Sequence, residues 1–191
     1  MSISGCQRGF TIIELIVFIV VVSSALAGVL TVLNFTVQSS ADPMIRKQML
    51  TIAEALLDEV QAQPFTWCDP DDRSAATATN ASLDATATDP TKCWDAVEGP
   101  GTETVSGNTD ARLSASSPFD NVSDYNGLAT TTGVSGIPMP PGYSATVAVA
   151  QDALNGIAAT ESLLITVTVS HGTDSLALQG YRTRYSPNTL P

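Results

Sequence analysis

The residue best placed to do chemistry is a carboxylate in an apolar setting. Glu14 is followed by residues 15–41, which carry no charge until Asp42. A carboxyl group at the edge of such a block is costly and asks for a cation. No Lys or Arg lies one helical turn later. A chain cut after Gly9 would give Phe10 a new ammonium group four residues before Glu14, close to one turn of helix. A neighbouring copy shifted along its axis would bring its amine to the same carboxylate. Pairing would remove most of the cost of burying each charge alone. Gly9 suits such a cut, because a residue without Cβ leaves the peptide open to a protease.

A second constellation is Cys68-Asp69-Pro70-Asp71-Asp72, with three carboxylates in a short turn. Hard cations such as calcium take clustered oxygens of this kind, with Asp69, Asp71 and Asp72 as first candidates and Asp84, Asp89 or Asp95 as further ligands. The segment lacks the turn glycine and the bidentate Glu of an EF-hand loop, and a solvated acidic turn is the other reading. No other cofactor is expected. The one histidine, His171, lies in His171-Gly172-Thr173-Asp174, a turn that is expected to leave it exposed at a loop tip. No Ser/His/Asp constellation and no Gly-rich phosphate loop accompanies it, so the chain is expected not to be an enzyme. The net charge of −11, from 8 Lys+Arg against 19 Asp+Glu, repels phosphate backbones and argues against nucleic acid as a partner.

These residues need elements to hold them. The chain has 191 residues, room for one ordinary domain and an appendage. Only 14% are charged, against about 25% in a typical soluble domain. Residues 15–33, LIVFIVVVSSALAGVLTVL, are continuously apolar or small. A bilayer core takes roughly 20 such residues as a helix. The run is rich in β-branched residues, but in lipid an isolated segment satisfies its backbone only as a helix. A secretory signal would be cut after Ala25-Leu26-Ala27 to leave Gly28 first, yet the apolar run continues through Leu33. A plain signal anchor explains the run and not the residues before it. The single basic residue of the leader, Arg8, faces Arg46 and Lys47 beyond the apolar run, so the positive-inside count sets no orientation by itself.

From residue 36 to residue 63 the pattern turns amphipathic. Ile45, Met49, Ile52, Leu56 and Val60 recur on one helical face, widened by Ala53 and Leu57, with Arg46, Lys47, Glu54, Asp58 and Glu59 elsewhere. Pro43 cannot donate to Ser39, which predicts one bent helix or two helices joined there. Pro64 ends the run. Residues 96–142 read as turns and short strands, with Asn126-Gly127 predicting a type I′ hairpin. Two alternating strands follow, residues 143–150 and 163–170. A third places Leu176 and Leu178 inward, with Gly180 expected to shift the parity so that Tyr181, Thr183 and Tyr185 turn inward. The fold class is therefore α+β: a long N-terminal helix packed on a C-terminal antiparallel sheet, whose apolar face the helical stripe covers.

Arg8-Gly9-Phe10-Thr11-Ile12-Ile13-Glu14 followed by an apolar helix resembles the signal of type IV prepilins and type II secretion pseudopilins. The resemblance implies cleavage between Gly9 and Phe10 by a prepilin peptidase, N-methylation of Phe10, and pairing of Glu14 with a neighbour's Phe10 amine during assembly. It divides the chain into a leader (1–9), a transmembrane half-helix (10–35), an amphipathic half-helix (36–63) and a head (64–191). Trp67-Cys68-Asp69-Pro70-Asp71-Asp72, residues 119–127 and Gly180-Tyr181-Arg182-Thr183 are similar to a narrower group, the D-type minor pilins of the mannose-sensitive haemagglutinin (MSHA) pilus.

Cleavage after Gly9 would discard Cys6 and leave Cys68 and Cys93 as an even pair in an oxidising compartment, so a Cys68–Cys93 disulfide is expected, with Trp67 and Trp94 packed over it. The function implied is that of a structural minor pilin, held in the inner membrane with its head in the periplasm and then passed into a surface pilus that serves adhesion. Its partners would be other pilins and minor pilins, the peptidase, the inner-membrane assembly platform and lipid. A minor pseudopilin of a type II secretion system and a membrane-anchored periplasmic calcium- or ligand-binding protein are the alternatives.

Overall fold

The structure, a computed structural model, describes residues 9–86, 88–105 and 107–184. The chain divides into two units, Met1–Ile45 and Arg46–Pro191. A single helix, α1 (Ile12–Ala62), is continuous in its backbone pattern with Pro43 inside it, so one helix forms where the sequence allowed two. Pro43 still leaves a missing rung, since it has no N–H to give.

In the first unit the apolar span Ile12–Asn34 has 23 residues, none of them buried. At about 1.5 Å per residue it rises roughly 34 Å, enough for a hydrocarbon core of about 30 Å. Its hydroxyls are satisfied within the helix: Ser23, Ser24 and Thr31 donate to the carbonyls of Ile19, Val21 and Ala27 at 2.6, 2.9 and 2.8 Å. A polar group with no water to turn to needs such a bond.

In the second unit four antiparallel strands form one sheet in the order β3 (Ala129–Thr130), β4 (Tyr143–Gln151), β5 (Ser162–His171), β6 (Asp174–Thr183). A separate short hairpin joins β1 (Thr104–Val105) to β2 (Asn108–Thr109). Alternation decides the buried face. Tyr143, Ala145, Val147 and Val149 of β4 and Leu163, Ile165, Val167 and Val169 of β5 are buried, while Ser144, Thr146, Ala148 and Ala150 are exposed. Register aligns these residues in rows, Val147 opposite Val167 and Val167 opposite Leu178. The predicted helical stripe supplies the other side of the core, with Met49, Ala53, Leu56, Leu57 and Val60 all buried.

Three local expectations need correction. Pairing of β5 with β6 is uninterrupted from His171↔Asp174 to Ser162↔Thr183, so Gly180 does not shift the parity. Leu176, Leu178, Gly180 and Arg182 share the inward face, and Tyr181 is 37% exposed on the other. Gly180 is there because the helix crosses closely: a Cβ would strike Gln61 Nε2 and lie 3.1 Å from a Leu57 methyl. Tyr185 lies outside the described residues. Asn126-Gly127 forms a type II turn, not type I′, with Asn126 at φ −67°, ψ 121° and Gly127 at φ 85°. Leu128 N–H closes it on the Tyr125 carbonyl at 3.1 Å. His171 is half-buried at the end of β5 and stacks on Tyr143, ring centroids 4.4 Å apart, rather than standing at a loop tip.

Cys68 and Cys93 are joined as a disulfide with Cα atoms 5.4 Å apart. Trp67 packs on the bridge together with Ala78 and Val97, whereas Trp94 lies under the guanidinium of Arg73.

Candidate functional site

At the N-terminus, Gly9 and Phe10 precede the helix and are exposed, Phe10 at 82%. A Cβ on Gly9 would meet nothing within 4 Å, so the Gly9–Phe10 peptide is open to approach. Arg8 and Cys6 lie outside the described residues. Thr11 is the residue before α1, and its Oγ1 accepts the Glu14 N–H at 3.4 Å. Glu14 thus stands in the first turn, where the unpaired N–H groups of the helix end favour a negative charge. Thr11-Ile12-Ile13-Glu14 has the spacing of a capping box, of which the Thr11 half is formed.

In the head the predicted acidic turn separates into two roles. Asp72, 3% exposed, does not join the other acids. Its Oδ1 accepts the Ser74 N–H at 2.7 Å, and its Oδ2 accepts those of Asp95 and Ala96 at 2.6 and 3.1 Å. Burial alone would raise its pKa, but these N–H groups outweigh it and hold the carboxyl below its ordinary value. Asp84 likewise organises the disulfide loop, taking bonds from the backbone and hydroxyls of Thr86 and Thr88 and from the Asp89 N–H. Asp89 binds Thr91 and Lys92. These residues, with Asp95, are not drawn to Asp69.

Asp69 and Asp71 instead turn toward acids from distant parts of the chain. Asp69, 1% exposed, accepts the Asp71 N–H at 2.7 Å, and Asp71 and Asp120 lie beside it. Glu98, Glu103, Asp110 and Asp124 complete the group. The turn that carries Asp69 is fixed by the disulfide and by Glu98 N–H bonding the Trp67 carbonyl at 3.0 Å. Burial, with mutual repulsion adding to it, pushes Asp69 and Asp110 up to about 6 and Asp120 up to about 7. Burial pushes Glu98 up to about 10 despite the Ser123 hydroxyl bound to it. Glu103 and Asp124 are both raised, again by burial first.

One buried ion pair escaped the sequence reading. Glu59, placed above on the polar side of the helix, receives the Arg112 guanidinium on both oxygens at 2.7 Å. The Tyr125 hydroxyl donates to the same carboxylate at 3.0 Å. Arg112 also donates to the carbonyls of Thr132 and Gly133, at 2.8 and 3.1 Å. Burial, then the nearby carboxylate, raises Tyr125, which keeps its phenol protonated and donating. No short-range pattern announces a partner 53 residues away.

No curated protein and no solved structure matches the chain. One family model matches, the prokaryotic N-terminal methylation motif, over residues 5–30. That stretch contains Gly9, Phe10 and Glu14 and ends inside the apolar span, so the chain carries a type IV prepilin-like N-terminus of the kind that marks pilins and pseudopilins.

Proposed function

We propose that this chain is a minor subunit of a type IV pilus, of the MSHA type, and that it acts as a structural part and not as a catalyst. The observation that carries the reading is the methylation motif running directly into a 23-residue apolar span, none of it buried. A helix exposed in this way needs lipid before assembly and neighbouring helices after it. Prepilin peptidase would cut between Gly9 and Phe10, and the new Phe10 amine would be methylated. Glu14 of one subunit would then pair with the Phe10 amine of the next, so that both charges enter the filament neutralised. The head would lie in the periplasm until the subunit leaves the inner membrane for the surface. The similarity of residues 67–72, 119–127 and 180–183 to D-type minor pilins supports the narrower placement.

Intact-mass measurement of the mature protein tests the processing step, with an N-terminus at methylated Phe10 expected. A chain beginning at Gly28 or left uncut would overturn it. Glu14→Leu tests assembly: the variant is expected to accumulate in the membrane and to be missing from sheared pili. Recovery in pili at the parent level refutes the pairing.

A further inference from the structure

Three segments of the head meet with their carboxylates together: the turn after Cys68, the stretch from Glu98 to the residue after β2, and the loop ahead of Tyr125. Carboxylate oxygens of Asp69, Asp71 and Asp120 lie within 4.8 Å of one another. The same holds for Asp69, Glu98 and Glu103, and for Glu103, Asp110 and Asp124. Because Asp69 and Glu103 are shared, the three triads form one continuous group. Two oxygens on opposite sides of a calcium ion, each at about 2.4 Å, are separated by about that same distance.

Acids gathered at a surface would need no cation, but apart from the exposed Asp71 these are buried or half-buried. Asp110 is only 8% exposed, and among the described residues no donor reaches its carboxylate, which faces Glu103 and Asp124. Glu98 Oε2, Glu103 Oε2 and Asp120 Oδ1 are also buried with no hydrogen-bond donor. The opposite oxygens of the two glutamates are fixed, Glu98 Oε1 by the Ser123 hydroxyl at 2.6 Å and Glu103 Oε1 by the Gly99 N–H at 2.8 Å. Asp124 Oδ2 is held by the N–H groups of Asp120 and Asn121 at 3.0 and 2.8 Å. One oxygen of each glutamate is thus oriented by the protein while the other is left without a donor among the described residues. The ion pairs among the described residues go elsewhere, to Asp89, Glu59 and Glu161. These groups cannot all be ionised together without a cation: burial first, and mutual repulsion with it, holds them protonated above their ordinary values.

We propose that this cluster is a calcium site, centred on the shared carboxylates of Asp69 and Glu103, with Glu98, Asp110, Asp120 and Asp124 as its other ligands. Calcium takes six to eight oxygens at about 2.3–2.6 Å in flexible geometry, which irregular loop carboxylates supply. Magnesium demands a near-ideal octahedron at about 2.1 Å and gives up its waters reluctantly. The cluster offers no imidazole or free thiolate, which later transition metals prefer. The bound ion would tie three otherwise irregular segments together. The site does not depend on the filament reading, and either can fail alone.

The test uses the full-length protein in mild detergent, stripped with EDTA, with thermal unfolding read from tryptophan fluorescence and binding read by calorimetry. CaCl2 is expected to raise the unfolding temperature and to bind saturably, and MgCl2 at equal concentration to do much less. Asp110→Asn is expected to weaken calcium binding about tenfold or more. The same variant should unfold at a higher temperature than the parent without metal, because it removes an uncompensated buried charge. Should Asp110→Asn fail to fold, Glu98→Gln is judged by calcium binding, with a loss of about tenfold or more expected and unchanged affinity overturning the site. Absence of any calcium-dependent shift up to about 10 mM overturns the site. So do equal shifts from the two salts, which mean screening of a negative surface, and a variant that loses metal-free stability while keeping the calcium response.

Discussion

Removing the Arg112 side chain is the sharpest test of how the helix is held to the head. In Arg112→Ala the Glu59 carboxylate, whose side chain is only 16% exposed, loses both of its 2.7 Å charge-assisted bonds. The carbonyls of Thr132 and Gly133 lose their donor as well. Breaking a buried pair from one side costs about 3–5 kcal/mol. Glu59 retains the Tyr125 hydroxyl and some water, which places the expected loss near the lower end, about 3 kcal/mol. Arg112→Lys keeps the charge and not the fork, and should lose about 1–2 kcal/mol. In Glu59→Met/Arg112→Met no unpaired charge is left, so the double variant should be more stable than Arg112→Ala, with a coupling of about 2 kcal/mol in the completed cycle. Urea unfolding of the detergent-solubilised chain, read from Trp67 and Trp94, measures all of these. A loss below about 1 kcal/mol for Arg112→Ala, the range of an exposed surface pair, would falsify the account.

Cys93→Ser releases a loop with a sequence separation of 25 and should lower unfolding stability by about 3.5 kcal/mol in the chain-entropy model; a parent and a variant with equal urea midpoints would rule out that role. Gly180→Ala puts a methyl against Gln61 and Leu57 and should cost about 1–3 kcal/mol by overpacking, part of it returned by adding Gln61→Ala; the reasoning fails if the second change gives nothing back. At the type II turn, Gly127→Ala meets open space but must hold φ near 85°, and a cost of about 1 kcal/mol by the same unfolding assay is expected, with no cost contradicting the turn assignment. Glu14→Gln should leave head unfolding unchanged while reducing recovery in sheared pili; a shifted urea midpoint would make the residue a general stability determinant instead.

What the sequence made legible was what short spacing encodes. The stripe from Met49 to Val60 and the alternation in β4 and β5 each needed only nearest neighbours of their own period, and all but the half-buried Ile52 are core. The disulfide followed from a count of cysteines and a compartment. Gly180 misled because a strand glycine has two uses, a bulge or a close crossing, and only the position of Leu57 and Gln61 chooses between them. Glu59 is legible only as a polar residue off the stripe, because its partner Arg112 enters from a loop, not from the helix.

The acid cluster is the instructive case. Asp69, Asp71 and Asp72 are legible as one acidic turn, from which Asp72 turns away, but Glu98, Glu103, Asp110, Asp120 and Asp124 sit in turn-rich sequence where a single carboxylate reads as a solvated residue. Only the fold draws most of them out of water. In a chain with 14% charged residues, it brings seven carboxylates together and leaves Asp110 buried with no donor. Neutral side chains of the same shape would satisfy such a core at lower cost, as asparagine and threonine do around it, where Asn121 donates to Thr66 at 2.8 Å. An arrangement that works against the metal-free fold is where local rules give way to function, and the calcium proposed above would supply the positive charge these carboxylates call for.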